Sequence, residues 1–324
     1  MEDIPARVRA ALGTLVARPA PRASRPSNRA DVAGRGAPPR SPMNAACHPV
    51  FWEDGEWRTY SRALGLPQDE GWYHRKAWEW AQCIYGLERL GALGPGKLAL
   101  GVGAGHERTL YYLANRTTLT VATDLYSGDF AASPAEEADP SFLHEPERFA
   151  PFTYYRDRLV GLPADGCHLP FRTGAFDAVY SLSSIEHFGG HERASEAVQE
   201  MCRVLRPGGI ACVATELVLE GGPHPAYFEP ADLMRYVVEA SGMDLVEPLS
   251  ELRPPKEMLD DPVKVPEEYL RTPHIVLQEG HWKFTSVCLF LRKPSQPVSL
   301  KPKALRIAED LARCVRRSFS QRPG

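Results

Sequence analysis

The apolar residues of this chain recur with two different periods. Short apolar runs predict six strands, at 97–100, 119–123, 158–162, 176–181, 210–216 and 283–291. Apolar positions three or four residues apart predict one helix before the first strand, at 74–92, and three between later strands, at 109–115, 192–205 and 230–241. Because the strands alternate with helices, the pattern predicts an α/β fold with a mostly parallel sheet and right-handed crossovers.

Both ends of the chain differ in composition from the middle. Residues 1–46 are rich in Arg, Pro and Ala and nearly lack large apolar side chains from residue 18 onward, so we predict a disordered tail there. An alternative is that translation begins at Met43. Residues 297–324 form a second tail, in which 300–319 have the pattern of a basic amphipathic helix. We favour a helix that packs on the acidic middle of the chain or frays, over one in weak contact with a membrane surface.

Charge and cysteine content indicate which kind of binding partner and which cellular compartment to expect. The formal net charge is −3, but 1–46 and 297–324 each carry +5, which leaves −13 for the middle. Phosphate binding needs a clustered basic surface, so we expect a small-molecule partner and no nucleic acid. The seven cysteines have no paired or zinc-like spacing, and no apolar run is long enough to cross a bilayer. We therefore expect a cytoplasmic protein without a metal site.

Three glycines follow the first strand, in the order Gly101, Gly103 and Gly105. Glycines at such a place allow a tight turn and a close approach of backbone to ligand at the start of a helix. A dinucleotide fingerprint needs the spacing G-x-G-x-x-G, but here His106 stands where its third glycine would be. The spacing therefore makes a nicotinamide oxidoreductase the least favoured alternative.

Three further motifs follow in order along the chain. Asp124 ends the second strand, nineteen residues after Gly105. Asp165 opens the run Asp-Gly-Cys-His-Leu-Pro-Phe, shortly before the fourth strand. Residues 205–209 are Leu-Arg-Pro-Gly-Gly, where proline stops a helix and glycine supplies unusual dihedral angles before the next strand.

Together these motifs, over residues 97–216, resemble those of class I S-adenosylmethionine-dependent methyltransferases of the type 11 group. The resemblance implies a Rossmann-like, seven-stranded, mostly parallel sheet with an antiparallel last strand and helices on both faces. It also implies S-adenosylmethionine as cofactor, with Asp124 on the ribose hydroxyls and Asp165 on the adenine amino group. The residues implied to contact the cofactor are Gly101, Gly103, Gly105, Glu107, Asp124, Leu125, Asp165, Gly166, Cys167 and Ser181.

One position departs from the pattern of this family. The family usually carries an acidic residue two positions before the first glycine, where this chain has Ala99. Glu107, in the first turn of the following helix, is our candidate to replace it. This departure from the family pattern leaves a second alternative open. In that alternative the protein binds S-adenosylmethionine without catalysis and acts as a regulator or a scaffold.

The resemblance also divides the domain at 47–296 into three parts. We assign 47–96 to a helical cover, 97–216 to the cofactor-binding core, and 217–296 to substrate-side segments and the last strand. Glu186 and His187, after the fourth strand, are candidates for a base that a hydroxyl acceptor would need. Trp72 and Tyr73 are candidates to cover a small-molecule acceptor, for which analogy suggests a sugar or glycan hydroxyl. The acceptor is expected to enter between these residues and the Pro-rich insertion at 251–280.

Overall fold

The computed structural model of the chain describes residues 41–126 and 138–295. Within these residues ten strands form one mixed sheet. The strands are β1 (Ala45–Ala46), β2 (Leu98–Val102), β3 (Leu119–Asp124), β4 (Leu159–Pro163), β5 (Phe176–Leu182), β6 (Leu205–Glu220), β7 (Asp244–Leu245), β8 (Val263–Lys264), β9 (Leu277–Glu279) and β10 (Trp282–Arg292). All of them lie in one compact unit, Met1–Lys293; of the second unit, Pro294–Gly324, only the first two residues are described.

The helices alternate with the long strands as the apolar pattern predicts. They are α1 (Gly55–Ala63), α2 (Arg75–Arg89), α3 (Arg108–Arg116), α4 (His191–Val204), α5 (Pro230–Asp232) and α6 (Lys256–Asp260). The predicted helix at 230–241 is α-helical only in α5 and continues as a π-helix over Leu233–Glu239. Single 3-10 turns lie at Pro49–Glu53, Pro140–Leu143, Pro146–Phe149, Arg156–Arg158 and Ile185–His187.

The order of strands in the sheet is β4-β3-β2-β5-β6-β10-β9-β8. Neighbours from β4 to β6 are parallel, whereas β10 is antiparallel to β6. This confirms the α/β class, the mostly parallel sheet and the antiparallel last strand. The predicted count of seven strands is wrong, because β1, β7, β8 and β9 add pairing segments of only two or three residues. Such segments are too short to show an alternating pattern.

Side chains that alternate along the central strands supply two separate cores, one on each face of the sheet. In β10, Cys288 and Phe290 pack with Trp78 of α2, whereas Leu289 packs on the opposite face with Met201 of α4. Helices therefore cover both faces, as expected from the resemblance. The approach of α2 to the sheet needs glycine at position 86, where a Cβ atom would lie 2.2 Å from the Phe290 ring.

The predicted boundary of the N-terminal tail at residue 46 is wrong. Ala45 and Ala46 form β1, which pairs with Cys288 and Val287 of β10. Asn44 is fully buried beside them; its Oδ1 accepts a hydrogen bond from the Phe290 amide at 2.6 Å. Residues 41–46 thus belong to the sheet domain. The rest of that tail, and the predicted basic helix at 300–319, lie outside the described residues.

One side of β10 pairs with β6 along its whole length. The other side pairs in succession with β9, β1 and β7, which come from three distant parts of the sequence. The last long strand is therefore bonded on both sides even though, within 41–126 and 138–295, no second long strand lies beyond it.

Candidate functional site

The glycine loop lies between β2 and α3, at the carboxyl end of the parallel strands. Gly103 and Gly105 have φ angles of 61° and 45°, the left-handed region that glycine adopts without strain. Asp124, at the end of β3, accepts hydrogen bonds from the Gly105 amide at 3.0 Å and the Leu125 amide at 2.7 Å. The Ser184 hydroxyl, after β5, donates to the Gly103 carbonyl at 2.6 Å. Neighbouring strands thus hold the loop from both sides.

The Asp165 loop follows β4 on the same edge of the sheet. Asp165 Oδ1 accepts a hydrogen bond from the Cys167 amide at 2.8 Å, and Oδ2 lies 3.1 Å from Arg193 Nη2. Partial burial would raise the pKa of Asp165, but hydrogen bonds from Cys167, His168 and Arg193 outweigh it and lower that pKa. The lowered pKa means that Asp165 is ionised at pH 7 and can only accept hydrogen bonds. Because 42% of its side chain is exposed, a ligand can reach it.

The other residues predicted to contact the cofactor fall into different environments. Leu125 is exposed beside Asp124, and Cys167 is buried, with its thiol donating to the Arg193 carbonyl. Ser181 is fully buried within β5, one residue before the Leu182 carbonyl that binds Lys76. Sequence reasoning missed Phe188, whose ring lies against both the glycine loop and the Asp165 loop.

Six ionisable side chains are packed together under the carboxyl ends of β5 and β6. We call them the buried ion cluster; its members are Arg75, Lys76, Glu79, Glu107, Glu186 and Glu216. The Arg75 guanidinium bridges Glu216 at 2.5 Å and Glu79 at 3.1 Å. Two cations therefore face four carboxyl groups, an unusual balance for a protein interior, where charges are normally paired.

The carboxyl groups of the cluster respond differently to their surroundings. Burial raises the pKa of Glu186 and of Glu216 to about 7. By contrast, Lys76 and Arg75 outweigh burial at Glu79 and lower its pKa. The Thr215 hydroxyl donates to Glu186 Oε2 at 2.8 Å, whereas Glu186 Oε1 and Glu216 Oε2 are buried without a hydrogen-bond partner among the described residues.

Glu186 and His187, predicted as a catalytic pair, diverge from one 3-10 turn. The Glu186 side chain points into the buried ion cluster, with 1% of the residue exposed, whereas His187 is exposed. His187 lowers the pKa of Glu216 electrostatically, so the imidazole lies near that carboxyl group.

The predicted acceptor cover is held together by stacked rings. Trp72 stacks on His74, and His74 stacks on His274 at a centroid distance of 4.2 Å. Burial lowers the pKa of His74 to about 4 and that of His274 to about 3, so both are neutral at pH 7. Tyr73 instead packs edge-on against Trp52, within the helical cover. The stack joins the segment before α2 to the 251–280 insertion.

Metal ions and membranes would each need a recognisable arrangement of side chains in the described residues. Within 41–126 and 138–295, no group of three or more His, Cys, Asp or Glu side chains is arranged to hold a metal ion. No helix in those ranges is long and apolar enough to cross a membrane.

Replacing Asp124 with alanine is expected to weaken S-adenosylmethionine binding by about 1–3 kcal/mol, or about 5- to 150-fold in Kd, because a charged acceptor is lost. Isothermal titration calorimetry would measure the change. Asp54→Ala is the matched control, since Asp54 also accepts backbone amide hydrogen bonds but caps α1. An Asp124→Ala protein with unchanged affinity would remove Asp124 from the cofactor site.

The central part of the chain is similar to known methyltransferases. A family model described as a methyltransferase domain matches residues 100–213. A chloroplastic methyltransferase of Arabidopsis thaliana is 31% identical over 150 residues, which cover 44% of this chain and 38% of that protein. The methyltransferase GfsG of Streptomyces halstedii is 29% identical over 126 residues, 39% of this chain and 40% of that protein.

Shorter matches come from RNA-modifying enzymes. The tRNA (carboxymethyluridine(34)-5-O)-methyltransferase of Xenopus tropicalis is 49% identical over 49 residues, 15% of this chain and 8% of that enzyme. The chain spans about a tenth or less of the first curated relatives that it matches. Among solved structures, 1,6-didemethyltoxoflavin-N1-methyltransferase of Burkholderia thailandensis is 16% identical, with a TM-score of 0.39 over 76% of this chain and 81% of that one.

Proposed function

We propose that the chain, whose residues 100–213 match the family model of a methyltransferase domain, transfers the methyl group of S-adenosylmethionine to a hydroxyl group of a small-molecule acceptor, such as a sugar or glycan precursor. One observation carries the proposal. A glycine loop bordered by Asp124 lies at the same strand ends as Glu186, a buried carboxyl group with one oxygen unpartnered among the described residues. The first feature fits a nucleotide-like cofactor, and the second fits a proton acceptor.

The residues around the glycine loop fit S-adenosylmethionine chemically. Asp124 carries a carboxylate of the kind that accepts hydrogen bonds from ribose hydroxyls, and the exposed Asp165 carboxylate can accept from the adenine amino group. The positive φ angles of Gly103 and Gly105 bring backbone close to a ligand without a side chain in the way. When bound, S-adenosylmethionine supplies a methyl group that is already strongly electrophilic, so the chain has mainly to orient the acceptor and exclude water.

A hydroxyl acceptor also needs a group that takes its proton, because a neutral hydroxyl is a weak nucleophile. Glu186 offers Oε1 for this role, and its pKa of about 7 suits a base that works near neutral pH. Glu216, with a similar pKa, can share the proton across the cluster. His187, exposed above them, would position the acceptor at the mouth.

The acceptor class is supported by charge. The middle of the chain is acidic, with −13 between the two basic tails, which disfavours a polynucleotide even though some relatives act on tRNA. A cofactor-binding protein without turnover remains the second candidate, supported by Ala99 in place of the usual acidic residue.

Labelled S-adenosylmethionine and a panel of sugars, nucleotide sugars, other hydroxyl compounds and tRNA would test the proposal. We expect methyl transfer to a hydroxyl compound, with a rate that rises with pH through about 7 as the Glu186–Glu216 pair ionises. Glu186→Gln should lower turnover by about 10²–10⁴-fold and remove this rise, with cofactor affinity nearly unchanged. The exposed Glu192→Gln is the matched control.

Each other result of this screen has a distinct meaning. Transfer to tRNA alone would contradict a small acceptor. Tight binding of S-adenosylmethionine without turnover on any acceptor would favour the inactive regulator. Binding of NADH in place of S-adenosylmethionine would favour an oxidoreductase.

A further inference from the structure

His274 is a buried residue whose imidazole makes no hydrogen bond within 41–126 and 138–295. Only 1% of the residue is exposed, and both ring nitrogens are buried without a partner in those ranges. Its backbone, by contrast, is well bonded, because its carbonyl accepts from the Arg75 amide and its amide donates to the Tyr73 carbonyl, both at 2.7 Å. An unpaired buried polar group costs free energy, so two of them in one side chain indicate a role other than stability.

The fold places His274 beside the buried ion cluster. Its ring stacks on His74, and the residue after His74, Arg75, binds Glu216 through its guanidinium. Glu216 and the candidate base Glu186 are only 3% and 1% exposed, so an acceptor reaches them only when a covering segment moves. The segment that covers His274 is therefore a candidate for that movement.

The turn at 265–271 is the segment that lies over His274. The Tyr269 ring contacts the imidazole at a centroid distance of 5.3 Å, with the two ring planes 75° apart. Burial would lower the pKa of Arg75, but the carboxylates of the cluster and Tyr269 outweigh it and raise that pKa, so Tyr269 also lies near the guanidinium. The next residue, Leu270, is 92% exposed. One side of this turn thus covers the site, and its tip faces solvent.

Charged side chains close this turn on itself. Arg271 pairs with Asp261 and with Glu268. Glu268 also accepts a hydrogen bond from the Lys264 amide at 3.1 Å. Because these partners all belong to one short segment, the turn can move away from His274 without losing them.

We propose that His274 is an acceptor-binding residue, uncovered when the 265–271 turn moves away, and that its ring nitrogens bind hydroxyl groups of the acceptor. This inference rests on the proposed function. The low pKa of His274 keeps it neutral at pH 7, and a neutral imidazole has one N–H donor and one acceptor nitrogen. A hydroxyl group can pair with either of them. A compound with several hydroxyl groups, such as a sugar, can therefore satisfy both nitrogens, whereas a compound with one hydroxyl group satisfies only one.

Two substitutions of His274 test this role with the hydroxyl acceptor that the screen identifies. His274→Phe keeps an aromatic ring in the stack but removes both nitrogens. It should raise KM for the acceptor at least about 10-fold, with kcat and S-adenosylmethionine affinity nearly unchanged. His274→Gln retains a donor and an acceptor, so it should raise KM less. His144→Phe, at an exposed histidine, is the matched control and should leave KM unchanged.

Chemical labelling tests the movement of the turn in protein that keeps His274. Diethyl pyrocarbonate modifies neutral imidazoles that solvent reaches, and peptide mass spectrometry reports each histidine separately. Tyr269→Ala removes the ring that lies on His274 and should raise the labelling rate of His274 about 10-fold or more, because the closed state is weakened. Saturating acceptor should suppress this labelling. Tyr155→Ala, at an exposed tyrosine before β4, is the control and should leave the rate unchanged.

The negative results separate this inference from the proposed function. If both substitutions of His274 leave KM unchanged, the inference is refuted while the proposed function stands. The same holds if Tyr269→Ala does not speed the labelling of His274, or if the acceptor does not suppress it. If the unmodified protein transfers no methyl group to any hydroxyl compound, the proposed function is refuted and the inference with it.

Discussion

Replacement of Gly103 with valine is expected to abolish measurable binding of S-adenosylhomocysteine, because it should raise Kd at least about 100-fold. Gly103 has a φ angle of 61°, which disfavours a β-branched residue, and a Cβ atom there would lie 2.6 Å from Ser184 Cβ. The clash would displace the Ser184 hydroxyl from the Gly103 carbonyl and move the loop away from Asp124. Calorimetric titration would measure binding, and a thermal melt would measure stability.

The control variant Gly91→Val separates the effect of backbone strain from the effect of losing the ligand-binding loop. Gly91 has a nearly identical φ angle of 63°, but a Cβ atom there would have no neighbour within 4 Å. This control should cost about 1–2 kcal/mol of stability from backbone strain and leave binding unchanged. A Gly103→Val protein that still binds with ordinary affinity would show that the loop does not approach the ligand.

Replacement of Arg75 with methionine is expected to lower the free energy of unfolding by about 3–5 kcal/mol, because it leaves buried carboxylates without their cation. Arg75 Nη1 bonds to Glu216, Glu79 and the Ser286 hydroxyl, at 2.5, 3.1 and 2.9 Å. Urea unfolding at pH 7 would measure the loss. The control variant Arg271→Met breaks ion pairs with the exposed residues Asp261 and Glu268. It should change stability by less than about 1 kcal/mol.

The pH dependence of this loss provides a further check. The pKa of Glu216 is already raised from 4.5 to about 7, so this group favours folding most below pH 4.5 and loses that contribution as pH rises through 7. Loss of Arg75 should raise that pKa further, so the destabilisation should be smaller at pH 5 than at pH 8. Adding Glu216→Gln to Arg75→Met should restore part of the stability. A loss that is equal at both pH values would mean that Arg75 acts through packing alone.

The sequence predicted the long strands well because each is buried and therefore continuously apolar. It also located the glycine loop, Asp124 and Asp165, since each of these segments follows one of the first three strands that the sequence predicts. It could not predict β1, because two alanines carry no periodic signal and their pairing with β10 joins residues more than 240 positions apart.

The ion cluster was missed for a different reason. Arg75, Lys76 and Glu79 lie in the first turns of α2, where charged residues normally face solvent. Only the tertiary fold brings Arg75 to Glu216, 141 residues further along the chain. A signal was present nonetheless, because Trp78 on the same turn indicates that this end of the helix is covered. Likewise, the divergence of Glu186 and His187 depends on a 3-10 turn that has no distinctive sequence.

The short strands beside β10 have a consequence for behaviour in concentrated solution. An uncovered strand edge offers a row of free amide and carbonyl groups to other molecules, and the apolar run Val287–Leu291 would make such an edge adhesive. Three separate segments cap that edge, and the middle one is only Ala45–Ala46. Proteolysis that removed residues 41–46 would therefore open a gap in the middle of the edge, and the protein would be expected to self-associate through it before its sheet unfolds.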